Sequence, residues 1–258
     1  DGAISAFALT EANAGSDPRA MTTTATLTED GSHYVINGEK LWCTNGTKAN
    51  VIVVMAVTPP KIVRGKERKQ ITAFLVEMDT PGVEVVHRCR FMGLKALYNG
   101  VIRFTDVKIP KENMILEEGD GLRLALKTLN TGRLSIPAGV TGSSKWCMKI
   151  NRKWTNERVQ WGHPIGEHET IAGKQAKIAS DTFAMDAVWK VASTMADNKH
   201  FDIRLEAAIA KLFNTVAHYE ILQQTLQIRG GRGFETADSL RARGEEGIAI
   251  ERLLRDSR

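Results

Sequence analysis

Residues 6–17 read AFALTEANAGSD, an apolar run that breaks into Thr10, Glu11 and a series of small residues. An apolar run that ends in this way indicates a β-strand leading into a turn. Small residues let backbone N–H groups approach a neighbour closely, and Thr10 and Ser16 supply hydroxyl donors. The segment alone leaves two interpretations open, a plain turn or a segment that holds a ligand.

The β-pattern continues outward from this segment to about residue 107. The runs TTTATLTED and HYVINGEK alternate around EDGSH, which predicts a hairpin. Residues 51–57 and 71–77 are β-branched runs on either side of a basic loop, and GVEVV and GVIRFTDVKIP follow. Turn signals recur often, so the pattern predicts an antiparallel β-sandwich or barrel over residues 1–110.

The apolar spacing changes after residues 108–121, because apolar residues then recur every three or four positions. A first helix is predicted over about residues 122–154, and Pro137 inside it predicts a kink. Two further helical faces consist of Ile171, Ile178, Met185, Val188 and Met195, and of Leu205, Ile209, Leu212 and Val216. The prediction is an up-and-down helical bundle over residues 111–258, and hence an α+β fold class.

The composition is that of an ordinary globular protein, with 258 residues, 42% hydrophobic and 25% charged. No apolar run is long enough for a transmembrane helix, and no basic signal-peptide region begins the sequence. Cys43, Cys89 and Cys147 match neither a disulfide framework nor metal spacing. They fit a reducing compartment such as a bacterial cytoplasm or a mitochondrial matrix.

The net charge of +5 is concentrated in one place, because PPKIVRGKERKQ holds five cations and one glutamate. These cations lie within residues 61–69. They form a solvated loop or a contact for an anion, and they do not make a basic protein face.

The segment EKLWCTNGT places Trp42 and Thr44 at a strand end. Residues two apart project to one face of a strand, so this pair is predicted to sandwich and hydrogen-bond a flat ring. The alternative is a half-buried tryptophan that only covers the sheet.

Residues 156–169, NERVQWGHPIGEHE, contain His163, Glu167 and His168. Their spacing is not that of HExxH, and Pro164 and Gly166 break any helix that would align them, so no metal site is predicted. Residues 226–235, LQIRGGRGFE, end a helical run. Their glycines indicate a helix C-cap, a close backbone approach to a phosphate or adenine, or a single RGG element.

Taken in order, these segments resemble the acyl-CoA dehydrogenase family over essentially the whole chain. LTEANAGSD is similar to the family's TEPGAGSD, and GEKLWCTNG to its GxKxWITNG. LNTGR, NERVQWG, QIRGGRGF and ERLLRDSR follow in family order. The helical half looks closest to the very-long-chain branch.

The resemblance implies that FAD is the cofactor and that two subunits hold it. One subunit would supply Phe7, Leu9, Thr10, Gly15, Ser16, Trp42 and Thr44. A neighbouring subunit would supply Arg158, Gln160, Trp161, Gln227, Gly230 and Gly231. A complete cofactor site therefore implies a homo-oligomer. Glu169 replaces a glutamine of the family pattern and is left out, since a carboxylate would sit poorly against phosphate.

The implied reaction is α,β-dehydrogenation of a fatty acyl-CoA thioester to trans-2-enoyl-CoA, with electrons passed to an electron transfer flavoprotein. Ser16, Asn130 and Arg133 would contact the substrate, and the basic loop would meet the CoA phosphates.

No catalytic residue is assigned within the chain. The base is expected to be a Glu beyond Arg258. Gly132 occupies the family's alternative position for the base and cannot act as one. Glu117 and Glu118 lie too far before that position to replace it. We also expect an N-terminal helical domain before Asp1, and no dehydrogenation by these 258 residues alone.

Two alternatives remain at this stage. An acyl-CoA oxidase would use the same fold and return electrons to oxygen. A DNA-associated member would fit the isoelectric point of about 9.1 and the RGG triplet. A nucleic-acid role is disfavoured, because the basic excess lies in one loop and not along a face.

Overall fold

The computed structural model describes residues 2–63, 65–198 and 202–257. The chain divides into two compact units. The first contains Asp1–Phe91 and Lys95–Thr128, and the second contains Met92–Leu94 and Leu129–Arg258. Among the described residues, no helix is both long and apolar enough to cross a membrane.

The first unit is an eight-stranded sheet. Its strands β1 to β8 are Ser5–Ala8, Thr24–Leu27, His33–Cys43, Val51–Val63, Lys66–Glu77, Val83–Arg88, Gly100–Pro110 and Met114–Ile115. The order is β6-β7-β3-β2-β4-β5-β8, with β1 also paired to β4. The predicted β-domain followed by a helical bundle is therefore confirmed, and among the described residues the sheet does not close into a barrel.

The sheet is mixed, because β1 and β2 both run parallel to β4. Strand β1 pairs with residues 51–54 of β4, and β2 meets β4 at Val57. Since β5 occupies the other edge of β4, β1 and β2 lie end to end along one edge. Residues 9–23 therefore form an excursion that leaves this edge after β1 and returns to it at β2.

The predicted basic loop over residues 61–69 is wrong as a loop, because β4 and β5 continue through most of it. Lys61 pairs with Arg68 across the hairpin, and the register shifts between Thr58 and Lys61. Prolines occupy positions 59 and 60, and proline cannot donate to a sheet ladder, which accounts for the shift. Lys61, Lys66 and Arg68 therefore project from a paired hairpin, and Arg64 lies outside the described residues.

The sheet core follows the two-residue alternation of the strands. Ile36, Ile52 and Phe74 are fully buried in it, and the rings of Tyr34 and Phe74 lie 4.8 Å apart. Full burial of such a side chain stabilises the fold by about 1.5–3 kcal/mol.

The second unit is helical. Its elements are α1 (Gly121–Glu157, which begins in the first unit), β9 (Val159–Gln160), β10 (His163–Pro164), α2 (Glu169–Asp197), α3 (Arg204–Arg229), α4 (Gly231–Phe234), α5 (Ala237–Ala242) and α6 (Ile250–Asp256). Pro137 lies inside α1, as predicted.

The side-chain contacts give the helix directions. Thr141 contacts Asn214 and Asn151 contacts Thr225, so α1 and α3 run in the same direction. Lys174 of α2 contacts Gln224 of α3, and Met185 of α2 accepts a bond from Asn214. Helix α2 therefore runs against α3, and the up-and-down arrangement is confirmed.

The predicted apolar face of α3 points outward. Leu205, Ile209, Leu212 and Val216 do share a face, but all four are exposed. In the first part of α3 the face that packs in the bundle consists instead of small and polar residues, Ala207, Ala210, Asn214, Ala217 and His218, and only further along do the apolar Ile221, Leu222 and Ile228 continue it. Small residues let helices approach closely and the polar ones form hydrogen bonds between helices, so apolar spacing alone selected the wrong face.

Candidate functional site

The excursion over residues 9–23 is held by a buried carboxylate, Glu11. Its Oε2 accepts hydrogen bonds from Thr22 N at 2.6 Å and Thr22 Oγ1 at 2.8 Å, and its Oε1 accepts from Thr23 N at 3.1 Å. The start and the end of the excursion are thus joined through one side chain.

Lys40 of β3 completes this anchor. Its side chain is fully buried, and its Nζ donates to Glu11 Oε1 at 2.8 Å and to the Leu9 carbonyl at 3.3 Å. Burial raises the pKa of Glu11, but the bonds from Lys40, Thr23 and Thr22 outweigh it and hold the pKa at about 2. Burial lowers the pKa of Lys40 and the bond to Glu11 opposes this, while the low pKa of Glu11 keeps its carboxylate ionised at neutral pH.

Neither Glu11 nor Lys40 was predicted from the sequence as a functional or buried residue. A signal was present, because Lys40 occupies an inward position in the alternation of β3, like Tyr34 and Ile36. A charged residue at an inward position requires a buried partner of opposite charge. Glu11 is such a residue, and it lies in the AFALTEANAGSD segment over residues 6–17.

Lys69 of β5 anchors the far end of the excursion. Its Nζ donates to the carbonyls of Arg19 and Met21 at 2.8 and 2.6 Å, and Asp17 accepts a bond from Arg19 N. Lys69 is therefore a structural residue beside the Gly15–Ser16 segment. Because its ammonium already donates to two carbonyl oxygens, Lys69 is less available to bind an anion than a lysine without such partners.

Trp42 and Thr44 do not project from one strand face, so that prediction is wrong. Trp42 has φ +57°, the β3–β7 register shifts between Lys40 and Cys43, and β3 ends at Cys43. The left-handed backbone at Trp42 re-aims its side chain, which is 56% exposed. Such a conformation in a non-glycine residue persists only where neighbouring contacts enforce it.

Asn99 supplies those contacts. Its Nδ2 donates to the Trp42 carbonyl at 3.2 Å and to Thr44 Oγ1 at 3.1 Å. Because Thr44 Oγ1 accepts from Asn99, its own proton is available to donate elsewhere. Leu41 N donates to the Thr10 carbonyl at 2.9 Å, so the structure brings Thr10 beside the Trp42–Thr44 turn.

Three other predicted residues of the first unit, Phe7, Leu9 and Gly15, have their backbone and not a side chain available to contact a ligand. Phe7 and Leu9 pack against a buried cluster that includes Met21 and Met55, which leaves their main chain as the available part. Gly15 is exposed, and a Cβ placed on it would meet nothing within 4 Å. Its backbone is therefore open to close approach.

The predicted residues of the second unit lie in two places. Arg133 Nη1 donates to Asn130 Oδ1 at 3.0 Å, one turn apart on α1, and Gly132 between them has open space where a side chain would be. Arg158 follows the end of α1, which is 28 residues and about 40 Å of helix beyond Asn130.

Arg158, Gln160 and Trp161 belong to the β9–β10 hairpin. Trp161 and Gly162 both have positive φ, +51° and +85°, as in a two-residue hairpin turn. Trp161 is 87% exposed, and its ring lies edge-on to His168 at 5.6 Å. His168 Nε2 also lies 3.2 Å from the Gln160 carbonyl, so the exposed tryptophan is held in place.

Gln227, Gly230 and Gly231 form the end of α3. Gly230 caps the helix with φ +59°, and its N–H donates to the Gln227 carbonyl at 3.1 Å. Trp154 near the end of α1 donates through Nε1 to the Ile228 carbonyl at 3.2 Å. The hairpin that follows α1 and the turn that follows α3 therefore lie at the same end of the unit.

The remaining titratable groups of interest do not form a metal or nucleophile site. Within the part of the chain that the structure describes, no three His, Cys, Asp or Glu residues are placed to hold a metal ion. His163 Nδ1 lies 3.4 Å from Glu167 Oε2, and both side chains are exposed. Burial raises the pKa of the Cys43 thiol to about 12, so it stays protonated.

Two family models match this chain. Residues 6–107 match the acyl-CoA dehydrogenase middle domain, and residues 119–258 match the acyl-CoA dehydrogenase C-terminal domain. The chain therefore belongs to the acyl-CoA dehydrogenase family.

Its curated relatives carry the same family name. The chain is 51% identical over 257 residues to the probable acyl-CoA dehydrogenase FadE10 of Mycobacterium tuberculosis, covering 100% of this chain and 39% of that protein. It is 32% identical over 256 residues to the mitochondrial very long-chain specific acyl-CoA dehydrogenase of Homo sapiens, covering 99% and 38%. The chain thus spans about two fifths of the length of these relatives.

Solved structures share the fold. Butyryl-CoA dehydrogenase from Megasphaera elsdenii matches with a TM-score of 0.85 and 30% identity, over 99% of this chain and 62% of that one. An acyl-CoA dehydrogenase complexed with FAD from Bacillus anthracis matches with a TM-score of 0.82 and 32% identity, over 98% and 44%. A chain in a structure described as the electron transferring flavoprotein of Acidaminococcus fermentans matches at 0.84 and 30%, over 99% and 63%.

Proposed function

We propose that the complete protein is an FAD-dependent acyl-CoA dehydrogenase. It converts a fatty acyl-CoA thioester to trans-2-enoyl-CoA and passes the electrons to an electron transfer flavoprotein. The observation that carries the proposal is the Trp42–Thr44 turn, a strained and rigid element that presents an aromatic ring and a hydroxyl donor together. Family membership and the FAD-bound relative support the same assignment.

The residues present fit a flavin. A planar ring with hydrogen-bond acceptors along its edge matches an exposed indole and a Thr44 proton that Asn99 leaves available. The open backbone at Gly15 and the Ser16 hydroxyl suit a phosphate, which accepts bonds from N–H and O–H groups. Thr10 would bond the ring, and the backbone of Phe7 and Leu9 would line it.

FAD, when bound, supplies the capacity to accept a hydride from the substrate. The chain's own residues would orient and shield this chemistry: Trp42 would cover a face of the ring, and Thr10 and Thr44 would hold its edge. Ser16, Asn130 and Arg133 would contact the thioester substrate. Removal of the α-proton needs a base, and Gly132, between Asn130 and Arg133, has no side chain that could act as one.

A second copy of the chain would complete the cofactor site. Arg158, Gln160 and Trp161 would contact the FAD of the neighbouring subunit, together with the Gln227–Gly231 turn. The held and largely exposed ring of Trp161 supports this, because an exposed aromatic fixed by its neighbours is suited to insertion at an interface. The protein would then be a homodimer or a larger assembly of dimers.

Anaerobic titration of the purified complete protein with acyl-CoA thioesters tests the proposal. Bleaching of the flavin absorbance and appearance of trans-2-enoyl-CoA are expected. Trp42→Ala should lower flavin content, whereas Trp146→Ala, which removes another exposed tryptophan, should not. Faster reoxidation by oxygen than by an electron transfer flavoprotein would favour an oxidase, and a protein that never binds flavin would refute the proposal.

A further inference from the structure

Arg229, the last residue of α3, is a buried cation that lies in the field of Glu246 and Glu245 but forms no direct ion pair with an acidic side chain of the described residues. Its side chain is only 7% exposed, and its Nε has no hydrogen-bond partner. No ion pair joins it to an acidic side chain among the described residues, although fifteen ion pairs of Lys or Arg occur there. Burying an unpaired charge is costly, so such a group calls for a reason.

The guanidinium is held rigidly. It stacks over the Trp154 ring at 5.0 Å, and Trp154 is itself fixed through its bond to the Ile228 carbonyl. Arg232 approaches the same ring at 5.2 Å. Unlike Arg229, Arg232 is neutralised, because its Nη2 donates to Glu245 Oε1 at 2.8 Å and its Nε donates to the other carboxylate oxygen.

The position of this charge has an electrostatic consequence. The C-terminal ends of α1 and α3 lie together here, and each helix carries about half a negative charge at that end. An anion approaching the Gly230–Gly231 turn would therefore be repelled by the helices themselves. A positive charge at the end of α3 offsets this repulsion, and the open backbone of the two glycines leaves room for the approach.

We propose that Arg229 is a cofactor-binding residue that attracts the diphosphate of the FAD held mainly by a second copy of the chain. The inference rests on the proposed function, and it adds Arg229 to the residues at this end of the second unit. Arg232 stands beside the same tryptophan without this role, because Glu245 already neutralises it.

The test compares three variants of the complete holoenzyme: Arg229→Met, Arg229→Lys and Arg232→Gln. Flavin release on dilution is followed by the recovery of flavin fluorescence, at several salt concentrations. Arg229→Met should weaken FAD binding about 10- to 100-fold, as expected for loss of a charge-assisted contact. It should also flatten the dependence of binding on salt, which screens this attraction.

The other two variants separate charge from structure. Arg229→Lys keeps the charge and should bind FAD more tightly than Arg229→Met. Arg232→Gln should resemble the wild type, since Glu245 keeps its partner Arg243. Melting of the flavin-free proteins gives a further readout: Arg229→Met should melt at or above the wild-type temperature, because it removes an unpaired buried charge.

The opposite results overturn the inference. If Arg229 only stabilises the end of α3, Arg229→Met lowers the melting temperature of the flavin-free protein and leaves FAD affinity and its salt dependence unchanged. If the wild type and Arg229→Met bind FAD equally well, the role of Arg229 is refuted and the proposed function is not. A wild type that binds no FAD refutes the proposed function as well.

Discussion

Replacing Lys40 with methionine tests the Glu11–Lys40 anchor of the excursion over residues 9–23. Lys40→Met keeps the length of the side chain but leaves the carboxylate of Glu11, only 6% exposed, without its cation. Breaking a buried ion pair by removing one partner costs about 3–5 kcal/mol. We therefore expect a large loss in the free energy of unfolding of the first unit.

The carboxylate can limit this loss by taking up a proton. The unfolded chain has the ordinary Glu pKa of 4.5, so neutralising Glu11 costs about 3 kcal/mol at pH 7 and less than about 1 kcal/mol at pH 5. In the wild type the folded pKa is about 2, so the pair's contribution is full above pH 4.5 and is lost only as the pH falls towards 2. The defect of Lys40→Met should thus shrink on acidification from pH 7 to pH 5.

Hydrogen exchange of β3 and β4 peptides under increasing urea measures this free energy for the sheet itself. Lys40→Met should lose about 3 kcal/mol at pH 7, with a smaller loss at each lower pH. The double variant Glu11→Gln/Lys40→Met is the matched control, and its defect should not depend on pH. A loss below about 1 kcal/mol at pH 7, or a loss that is independent of pH, would refute the reasoning.

Three further predictions concern other parts of the chain. Burial lowers the pKa of His218 from 6.5 to about 4. About 3 kcal/mol of stability in the second unit should therefore be present above pH 6.5 and be lost as the pH falls through 4. Urea unfolding at several pH values measures this dependence of the free energy of unfolding on pH, which His218→Gln should remove. Arg158→Ala should weaken FAD retention about tenfold, and unchanged flavin content after gel filtration would contradict the assignment. Neutralising Lys66 and Arg68 should flatten the salt dependence of acyl-CoA binding. Lys69→Met should instead lower the flavin content, since Lys69 holds the turn over residues 18–21. If both changes had the same effect on acyl-CoA binding and on flavin content, the separate roles of these residues would be refuted.

The outline of the fold was predictable because apolar periodicity differs between the two halves. The strands before residue 107 and the positions of the three long helices follow that periodicity, although the apolar face that it marks on α3 is exposed. What it misses are places where charge or backbone conformation overrides it. The β4–β5 hairpin continues through charged residues because backbone hydrogen bonds, and not side chains, maintain the pairing.

The sequence predicted which segments form the candidate site, but not the backbone conformation or the contacts of their residues. The motifs containing Thr10 and Trp42 were selected separately, and the structure brings them together through the hydrogen bond from Leu41 N to the Thr10 carbonyl. The left-handed conformation of Trp42 and the donor role of Asn99 have no periodic signature, since both depend on contacts distant in sequence. Arg229 was passed over for a related reason: its lack of an ion-pair partner is a property of the packed structure.

The excursion over residues 9–23 has a consequence for how this family can diversify. Its two ends meet β4 at Val54 and Val57, about 10 Å apart along the strand. Closing a loop between such near points changes little with length, about 0.6 kcal/mol for each doubling. Insertions and deletions in the segment are therefore tolerated by the sheet, and selection can alter what it binds while the strands on either side keep their register.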